Sequence, residues 1–496
     1  MLDSTYLLFV CLICTLVAWL ANHLRRPYNY PPGPRWLPVV GNSPQLRRLA
    51  RAVGGTHRAL AIWANTYSTS VLGLRLGGDY VVVLFGAKTV REALCREEFD
   101  GRPDNFFIRL RTMGSRMGIT CTEGQLWTEQ RNFVVRHLRQ VGYGKQAMED
   151  QIVNELKELI SVIDALGNSV NFGRELAPSV INVLWTLTAG KRISRDDQRL
   201  ERLLTLLSQR SKAFDTAGGS LSQMPWLRFI IPESSGYNLL LRFNKELHSL
   251  FMETITDHRN NHKASQADDL IHAYITEMES RKGKPSTFTD VQLTMVILDI
   301  FIAGSQTTSN TLDFAFLMML NRPDLQMKIH QEIDEVLGNN LPKLEDRAKM
   351  PFVEAVLLEV QRYFHIVTLN GPRRVTRDTT IGGYNIQKDT TVLMSLYSLH
   401  KDVEYWGDPE NFRPERFLSE EGYLKPSDHL IPFALGKRRC LGEALAKACM
   451  FIFFTGILQH YELYVDNDQE KPSIDPIPGI TLSPRPYKAN VRKRIR

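Results

Sequence analysis

The fold of this chain is constrained most by one cysteine and its surroundings. Cys440 lies in Phe433-Ala434-Leu435-Gly436-Lys437-Arg438-Arg439-Cys440-Leu441-Gly442, and the apolar, helix-forming run EALAKACMFIFF follows at once. A thiol at a helix start meets unpaired backbone N–H groups and the positive end of the helix dipole. With Arg438 and Arg439 beside it, that position favours the thiolate. No Cys or His partner lies close in sequence, so zinc binding is poorly served. The His and Asn/Asp context of a cysteine hydrolase is also missing. Gly436 and Gly442 permit close backbone approach to something flat and bulky. A thiolate held this way can be the axial ligand of a haem iron, while an inert free cysteine is the plain alternative. The chain has only six cysteines in 496 residues, which argues against a disulfide framework.

The N-terminus sets the compartment. Thr5 to Leu24 reads TYLLFVCLICTLVAWLANHL, about 20 residues whose roughly 30 Å of helix would cross a bilayer core. Asp3 precedes this run, and Arg25-Arg26 follow it. The positive-inside rule therefore expects the remainder on the cytosolic side. A cleaved signal peptide is the competing reading, but it would carry a basic n-region and an A-x-A site, and neither is present. Cys11 and Cys14 fall inside the apolar run and read as lipid-compatible filler. Tyr30-Pro-Pro-Gly-Pro34 then predicts a stiff extended spacer. The expected division is an anchor over 1–24, a basic, proline-rich hinge over 25–40 and a single domain over 41–496.

Length alone would suggest about three domains, but no repeat or low-complexity linker divides the chain. Strands are expected at Val71–Leu76 and Tyr80–Phe85 around Gly77-Gly78, and again between Arg373 and Met394. Helical periodicity dominates from Trp127 to Leu337 and returns after Cys440. The fold class is therefore mainly α with small β-sheets. Segment 217–237 breaks the helical region with an apolar Pro225–Pro232 loop, which either dips into a lipid interface or is buried in the core. Lys and Arg number 61 against 54 acidic residues, a net charge of +7. That excess suits nucleic acid, an anionic membrane surface or an acidic partner.

Further motifs precede the cysteine. Trp127-x-x-x-Arg131 sets an indole and a guanidinium one helical turn apart. Glu359-x-x-Arg362 places an acid and a base on one helix face, and Pro414-Glu415-Arg416-Phe417 adds a second Arg. Ala303-Gly304-Ser305-Gln306-Thr307-Thr308 lies in an apolar run that opens at Thr289-x-x-Gln292, a capping-box pattern, and closes at Asn321-Arg322-Pro323. A helix over 290–321 would be roughly 48 Å long. Within it, a Thr hydroxyl can open a local bend and hold water.

The motif F-x-x-G-x-R-x-C-x-G resembles the haem-binding signature of the cytochrome P-450 superfamily, and the other motifs occur in that family's order. The resemblance spans essentially the whole chain and is to the microsomal type. It implies the cytochrome P-450 fold behind a single N-terminal transmembrane helix, with haem b on Cys440. It assigns Trp127, Arg131, Arg373 and Arg438 to the haem propionates, where cations facing two carboxylates are favourable. Phe433 and Gly436 belong to the same cofactor loop. Glu359, Arg362 and Arg416 would form a buried structural network. Thr307 matches the threonine that delivers protons to dioxygen, with Gly304 beside it. Gln306 stands where many members have an acid, and it cannot relay a proton as a carboxylate does. Thr368 departs from the usual Pro.

The implied activity is an NADPH- and O2-dependent monooxygenation in the endoplasmic reticulum membrane. Electrons would come through NADPH-cytochrome P-450 reductase, one oxygen atom entering a lipophilic substrate and the other leaving as water. Phe106, Phe107, Ile119, Thr120, Ala303, Val367 and Leu369 are candidate pocket walls. Arg136, Arg139, Lys437, Arg439 and Lys447 are candidates for a face that docks an acidic reductase. In this reading the basic excess serves a membrane and a redox partner, and no nucleic acid is expected. Gly101-Arg-Pro-Asp104 and Leu227–Tyr237 resemble the insect branch. Within it, the chain is similar to juvenile-hormone-precursor epoxidases acting on methyl farnesoate or farnesoic acid, and to developmental or ecdysteroid-related relatives. Steroid or xenobiotic hydroxylation, a haem-thiolate isomerase or dehydratase, and a non-enzymatic haem sensor are the other readings.

Overall fold

The computed structural model describes residues 2–140, 142, 144–215, 219–261, 269–466 and 468–495. Helices dominate, as the periodicity predicts, and ten of them position the site. They are α1 (Leu2–Leu24), α2 (Ala87–Cys95), α3 (Gly124–Gln140), α4 (Gln146–Leu166), α5 (Phe172–Ala189), α6 (Tyr237–Asn260), α7 (Leu270–Ser280), α8 (Asp290–Asn321), α9 (Pro351–Phe364) and α10 (Glu443–His460).

The central helix α8 begins where its sequence requires. Thr289 caps it by accepting a hydrogen bond from the Gln292 backbone N–H at 3.2 Å. The expected capping box forms only by half. The Gln292 side chain turns instead to Gly118, accepting from its N–H and donating to its carbonyl, both at 3.0 Å. The second half of the local cap is thereby exchanged for a tether to the 118–122 loop. Pro323, at the start of the following helix, ends α8 because a proline nitrogen cannot continue the ladder.

Aromatic side chains lock the helical core. Phe316 of α8 stacks on Phe172 of α5 at 4.5 Å and meets Phe454 of α10 at 5.6 Å. Trp185, Phe251 and Phe301 join α5, α6 and α8 in the same way. Such pairs contribute about 0.5–1.5 kcal/mol each beyond their burial. α10 is apolar on every face, and nearly all of it from Ala448 to Gln459 is buried. A Cβ at Gly456 would fall 2.3 Å from the Leu156 side chain, so this glycine lets α4 and α10 close together.

A four-stranded sheet flanks this core. β1 (Val71–Leu76) pairs antiparallel with β2 (Asp79–Leu84), which runs parallel to β4 (Thr391–Met394), and β3 (Arg373–Arg374) pairs antiparallel with β4. The hairpin at Gly77-Gly78 forms as expected, with its second strand starting and ending one residue earlier. Strands Ser169–Val170, Tyr461–Tyr464 and Ala489–Lys493 make a second sheet, and Thr379–Ile381 pairs with Tyr384–Ile386 across Gly382-Gly383. Both glycines have positive φ, the requirement of a tight two-residue hairpin turn.

The proline segment does not hang free. The Tyr30 hydroxyl donates to the carbonyls of Leu74 (2.9 Å) and Val81 (3.0 Å), and the Gly73 N–H donates to Pro32. A Cβ on Gly33 would lie 2.2 Å from the Gly73 carbonyl oxygen. The segment is thus pressed onto β1, and glycine is required on both sides of the contact.

Among the described residues, two apolar surfaces stand exposed. One is α1, where Tyr6, Leu7, Leu8, Phe9, Leu12 and Leu16 all face outward. The other is the loop around Trp226, Phe229 and Ile230, the last two at 75% and 67% exposure, so the alternative of burial in the core does not hold there. Residues 217 and 218 of that segment lie outside the described residues. Among the described residues one helix, α8, is long and apolar enough to cross a membrane, and it is mostly buried in the protein's own core.

Candidate active site

A cavity of about 380 Å³ opens beside the middle of α8. Its walls include Ile300, Ala303, Gly304, Thr307 and Thr308 of α8, Trp127 and Arg131 of α3, and Ile119, Thr120 and Val367 from loops. The cysteine loop closes it with Phe433, Arg438, Cys440 and Gly442. Regions some 300 residues apart in sequence therefore converge on one thiol.

The loop is fixed by its own backbone. The Cys440 N–H donates to the Phe433 carbonyl at 2.9 Å, Arg439 N–H to Gly436 and Ala434 N–H to Ile431. Ala434 takes a positive φ of 59°, a costly conformation for a residue with a Cβ. Gly436 does so too, and a Cβ there would fall 2.1 Å from the Leu94 carbonyl oxygen in α2. Its glycine therefore serves the docking of the loop on α2. Gly442 is open toward the thiol and lines the cavity.

The electrostatics of Cys440 also differ from expectation. Burial among protein groups pushes the thiol up from its ordinary value, although its sulfur still faces the cavity; the Gly442 N–H and Arg131 act the other way. Arg438 does not turn to the thiol but lies 4.0 Å over the Trp127 ring, and Arg439 is exposed. A metal cation at the sulfur reverses the preference, since a coordinated thiol is deprotonated.

Three arginines gather beside the cavity. Arg373 and Arg438 are buried, and Arg438 and Arg102 line the cavity; among the described residues, Nε and Nη1 of Arg438, Nε and Nη2 of Arg373 and Nε of Arg102 have no partner. Arg373 pairs with Asp100 at 2.9 Å, and Arg102 donates to the Gly371 and Pro372 carbonyls. Burial and the charge of neighbouring Arg102 push both Arg373 and Arg438 down to about 9. Buried donors in excess of acceptors suit a ligand that brings carboxylates, as the propionates of haem would. Arg131 is committed in part, donating to the Arg439 carbonyl at 2.9 Å. Arg102 had escaped the sequence reading because its neighbours, Gly101-Arg-Pro-Asp104, carried only a branch resemblance.

On α8 the Thr307 hydroxyl donates to the Ala303 carbonyl at 2.8 Å. Gln306 is half-buried and off the cavity wall. Gly304 lines the cavity, but an added Cβ would strike the Leu184 side chain at 2.4 Å. The glycine thus admits α5 to α8, a packing reason the sequence did not announce. Asp299 was also missed. Its buried carboxylate pairs with Arg111 at 2.9 Å and accepts the N–H groups of Ile119 and Thr120 at 2.7 and 2.8 Å, which fixes the loop bearing those two walls.

The acid–base motif forms a closed network. Glu359 binds Arg362 through two hydrogen bonds of 2.7 and 2.8 Å, and also accepts from Arg416 Nε and the Arg413 N–H. Arg362 spends its remaining donors on the carbonyls of His400, Pro409 and Asn411.

Of the expected pocket walls, Ile119, Thr120, Ala303 and Val367 line the cavity. Phe106 and Phe107 do not: they pack with Phe214, Leu221 and Leu240 in a separate cluster. Leu369 sits in the core beside β1, bridged to Ser395. All three are apolar, and hydrophobicity cannot distinguish a cavity wall from core. Of the basic candidates, Arg136, Arg139, Lys437 and Arg439 are exposed, while Lys447 is half-buried and paired with Glu443 at 2.7 Å.

Known proteins resemble this chain along its whole length. The family profile described as Cytochrome P450 matches residues 31–491. The chain is 46% identical over 501 residues to "Probable cytochrome P450 305a1" of Drosophila melanogaster, covering 98% of this chain and 99% of that one. It is 37% identical over 485 residues to "Farnesoate epoxidase" of Bombyx mori, covering 97% of each. It is 35% identical over 472 residues to "Cytochrome P450 2J2" of Homo sapiens, covering 93% of this chain and 90% of that one.

Proposed function

The chain belongs to the cytochrome P450 family, and from that premise we propose that it epoxidises a farnesoid, methyl farnesoate or farnesoic acid, in juvenile hormone biosynthesis. As a member of the family it is a haem-thiolate monooxygenase using O2 and electrons from NADPH delivered by a reductase. The haem, when bound, supplies the activation of dioxygen that allows one oxygen atom to enter the substrate.

The observation that carries the reading is the cavity that joins Cys440 to Thr307. Cys440 would hold the iron, and Arg102, Arg373 and Arg438, with Trp127 and Arg131, would hold the propionates. Thr307 Oγ1 would orient water and move a proton, exchanging its present bond to Ala303. Gln306 can orient water but not relay a proton. Ile119, Thr120, Ala303 and Val367 offer a mostly apolar wall to a lipophilic chain. The similarity to a farnesoate epoxidase supports that choice of substrate. A second reading is hydroxylation of a steroid or another lipophile, because the Drosophila relative of higher identity carries no substrate in its name.

The same reading assigns 1–24 to an endoplasmic reticulum anchor, 25–40 to a hinge and 41–496 to a cytosolic haem domain. The exposed apolar side chains of α1 support the anchor, and Trp226, Phe229 and Ile230 would form a second contact with lipid. Exposed Arg136, Arg139, Lys437 and Arg439 would meet an acidic reductase.

The test is turnover in liposomes with NADPH-cytochrome P450 reductase and a substrate panel. An epoxide of either farnesoid is expected. Hydroxylation of a steroid or xenobiotic with the farnesoids untouched would replace this reading with the second. Peroxide isomerisation without NADPH would point to a different haem-thiolate chemistry. Cys440→Ala should abolish the thiolate-type band of the reduced carbon-monoxide spectrum. Thr307→Ala should lower product formed per NADPH severalfold.

A further inference from the structure

Outside the cavity lining, where α6 ends and α7 begins, three ligand-type side chains meet. His258 stands in the last turn of α6, Asp269 caps α7, and His272 lies in the first turn of α7. Asp269 Oδ1 accepts the His272 backbone N–H at 2.9 Å, the ordinary duty of an N-cap. Its Oδ2 faces both imidazoles, 3.1 Å from His258 Nε2 and 2.7 Å from His272 Nδ1. His258 and Asp269 are buried. Among the described residues this is the one trio of such groups whose ligand atoms all lie within 4.8 Å of one another.

The donor count at His258 carries the inference. Its Nδ1 lies 2.7 Å from the Thr254 carbonyl, which can only accept, so Nδ1 bears a proton. A neutral ring then turns the lone pair of Nε2 toward a carboxylate oxygen, acceptor against acceptor. Positive charge resolves the conflict, as a second ring proton or as a cation bound by both groups. The geometry is suited to the cation. Two rings whose centroids lie 4.5 Å apart aim nitrogens at a single oxygen. The bond from Nδ1–H to a backbone carbonyl is the outer contact that orients a metal-ligating histidine. The carboxylate is lodged as well: a Cβ on Gly190, the cap of α5, would come within 2.7 Å of Oδ2.

We propose that His258 Nε2, His272 Nδ1 and the Asp269 carboxylate bind one divalent cation of the zinc class, tying the end of α6 to the start of α7. Two imidazole nitrogens and one carboxylate oxygen are ligands that zinc accepts, with water in the fourth position, whereas magnesium prefers an all-oxygen shell. The site is independent of the haem pocket and of the substrate reading.

Zinc binding to the purified full-length holoenzyme tests it. After loading with zinc chloride and removal of the excess, elemental analysis should find one zinc per haem iron, and magnesium should not replace it. His258→Gln and His272→Gln should each weaken zinc binding at least about tenfold while keeping the reduced carbon-monoxide band. Zinc should raise the thermal midpoint of the unaltered enzyme and leave both variants unmoved. If a variant fails to hold haem, zinc-edge X-ray absorption of the unaltered enzyme decides, since it should show two histidines and no sulfur. Absence of zinc, equal zinc in both variants, or a sulfur ligand would overturn the assignment.

Discussion

Two groups of buried arginines sit in this molecule under opposite conditions. Around Glu359, every guanidinium of Arg362 and Arg416 is met by a carboxylate or a backbone carbonyl, and Trp406 lies within 6 Å of both. Around the cavity, Arg373 and Arg438 keep donors with no partner among the described residues, where Asp100 is the one carboxylate bonded to them. Burying a charge is expensive unless it is paired and hydrogen-bonded. The first group completes itself within the fold. The second is stable only with help from a ligand, which makes charge saturation a guide to what is scaffold and what is receptor.

Breaking the closed network should have the largest effect. Glu359→Gln strands two buried cations and should cost about 3–5 kcal/mol, seen as loss of folded, haem-loaded protein on expression. Arg438→Leu should spare folding and release haem to excess apomyoglobin roughly 10- to 100-fold faster, the loss of one charge-assisted contact. If Arg438→Leu instead prevents folding, the two groups do not differ in kind.

Asp313 extends the comparison to a lone acid. Burial pushes this carboxyl up to about 7, with the Tyr487 hydroxyl opposing, and its Oδ1 has no partner among the described residues. The folded state therefore holds a proton that the unfolded chain has lost, and the stability contribution falls as pH rises from about 4 to 7. Asp313→Asn should change little near pH 4 and stabilise by up to about 4 kcal/mol above pH 7, read from thermal midpoints across that range. Gln306→Glu should have the smallest effect, because the position is half-buried and can keep a new charge solvated. Product per NADPH should change less than about threefold.

What the sequence disclosed follows the reach of each interaction. Glu359 and Arg362 share one helix turn, Thr289 caps its own helix, and Cys440 sits in a local loop, so short spacings expose them. Arg102, Asp299 and the Gln292–Gly118 pair act across 170 residues or more, and no local pattern marks them. Gly304 and Gly436 were visible as glycines, but the atoms they make room for, Leu184 and the Leu94 carbonyl, belong to other elements. Phe106, Phe107 and Leu369 show the converse, apolar residues whose setting only packing decides.

The docking of Tyr30–Pro34 on β1 has a mechanical consequence. Asn29 is already bound to the Thr379–Ile386 hairpin, and Arg26 donates to the Gly33 and Pro34 carbonyls at 2.6 and 2.7 Å, so at most Arg25–Tyr28, pinned in part at Arg26, joins α1 to the body. Four residues reach at most about 14 Å when fully extended. On a bilayer, a body on so short a leash would ride close to the surface, so that a hydrophobic solute leaving the lipid would have only a short gap to cross.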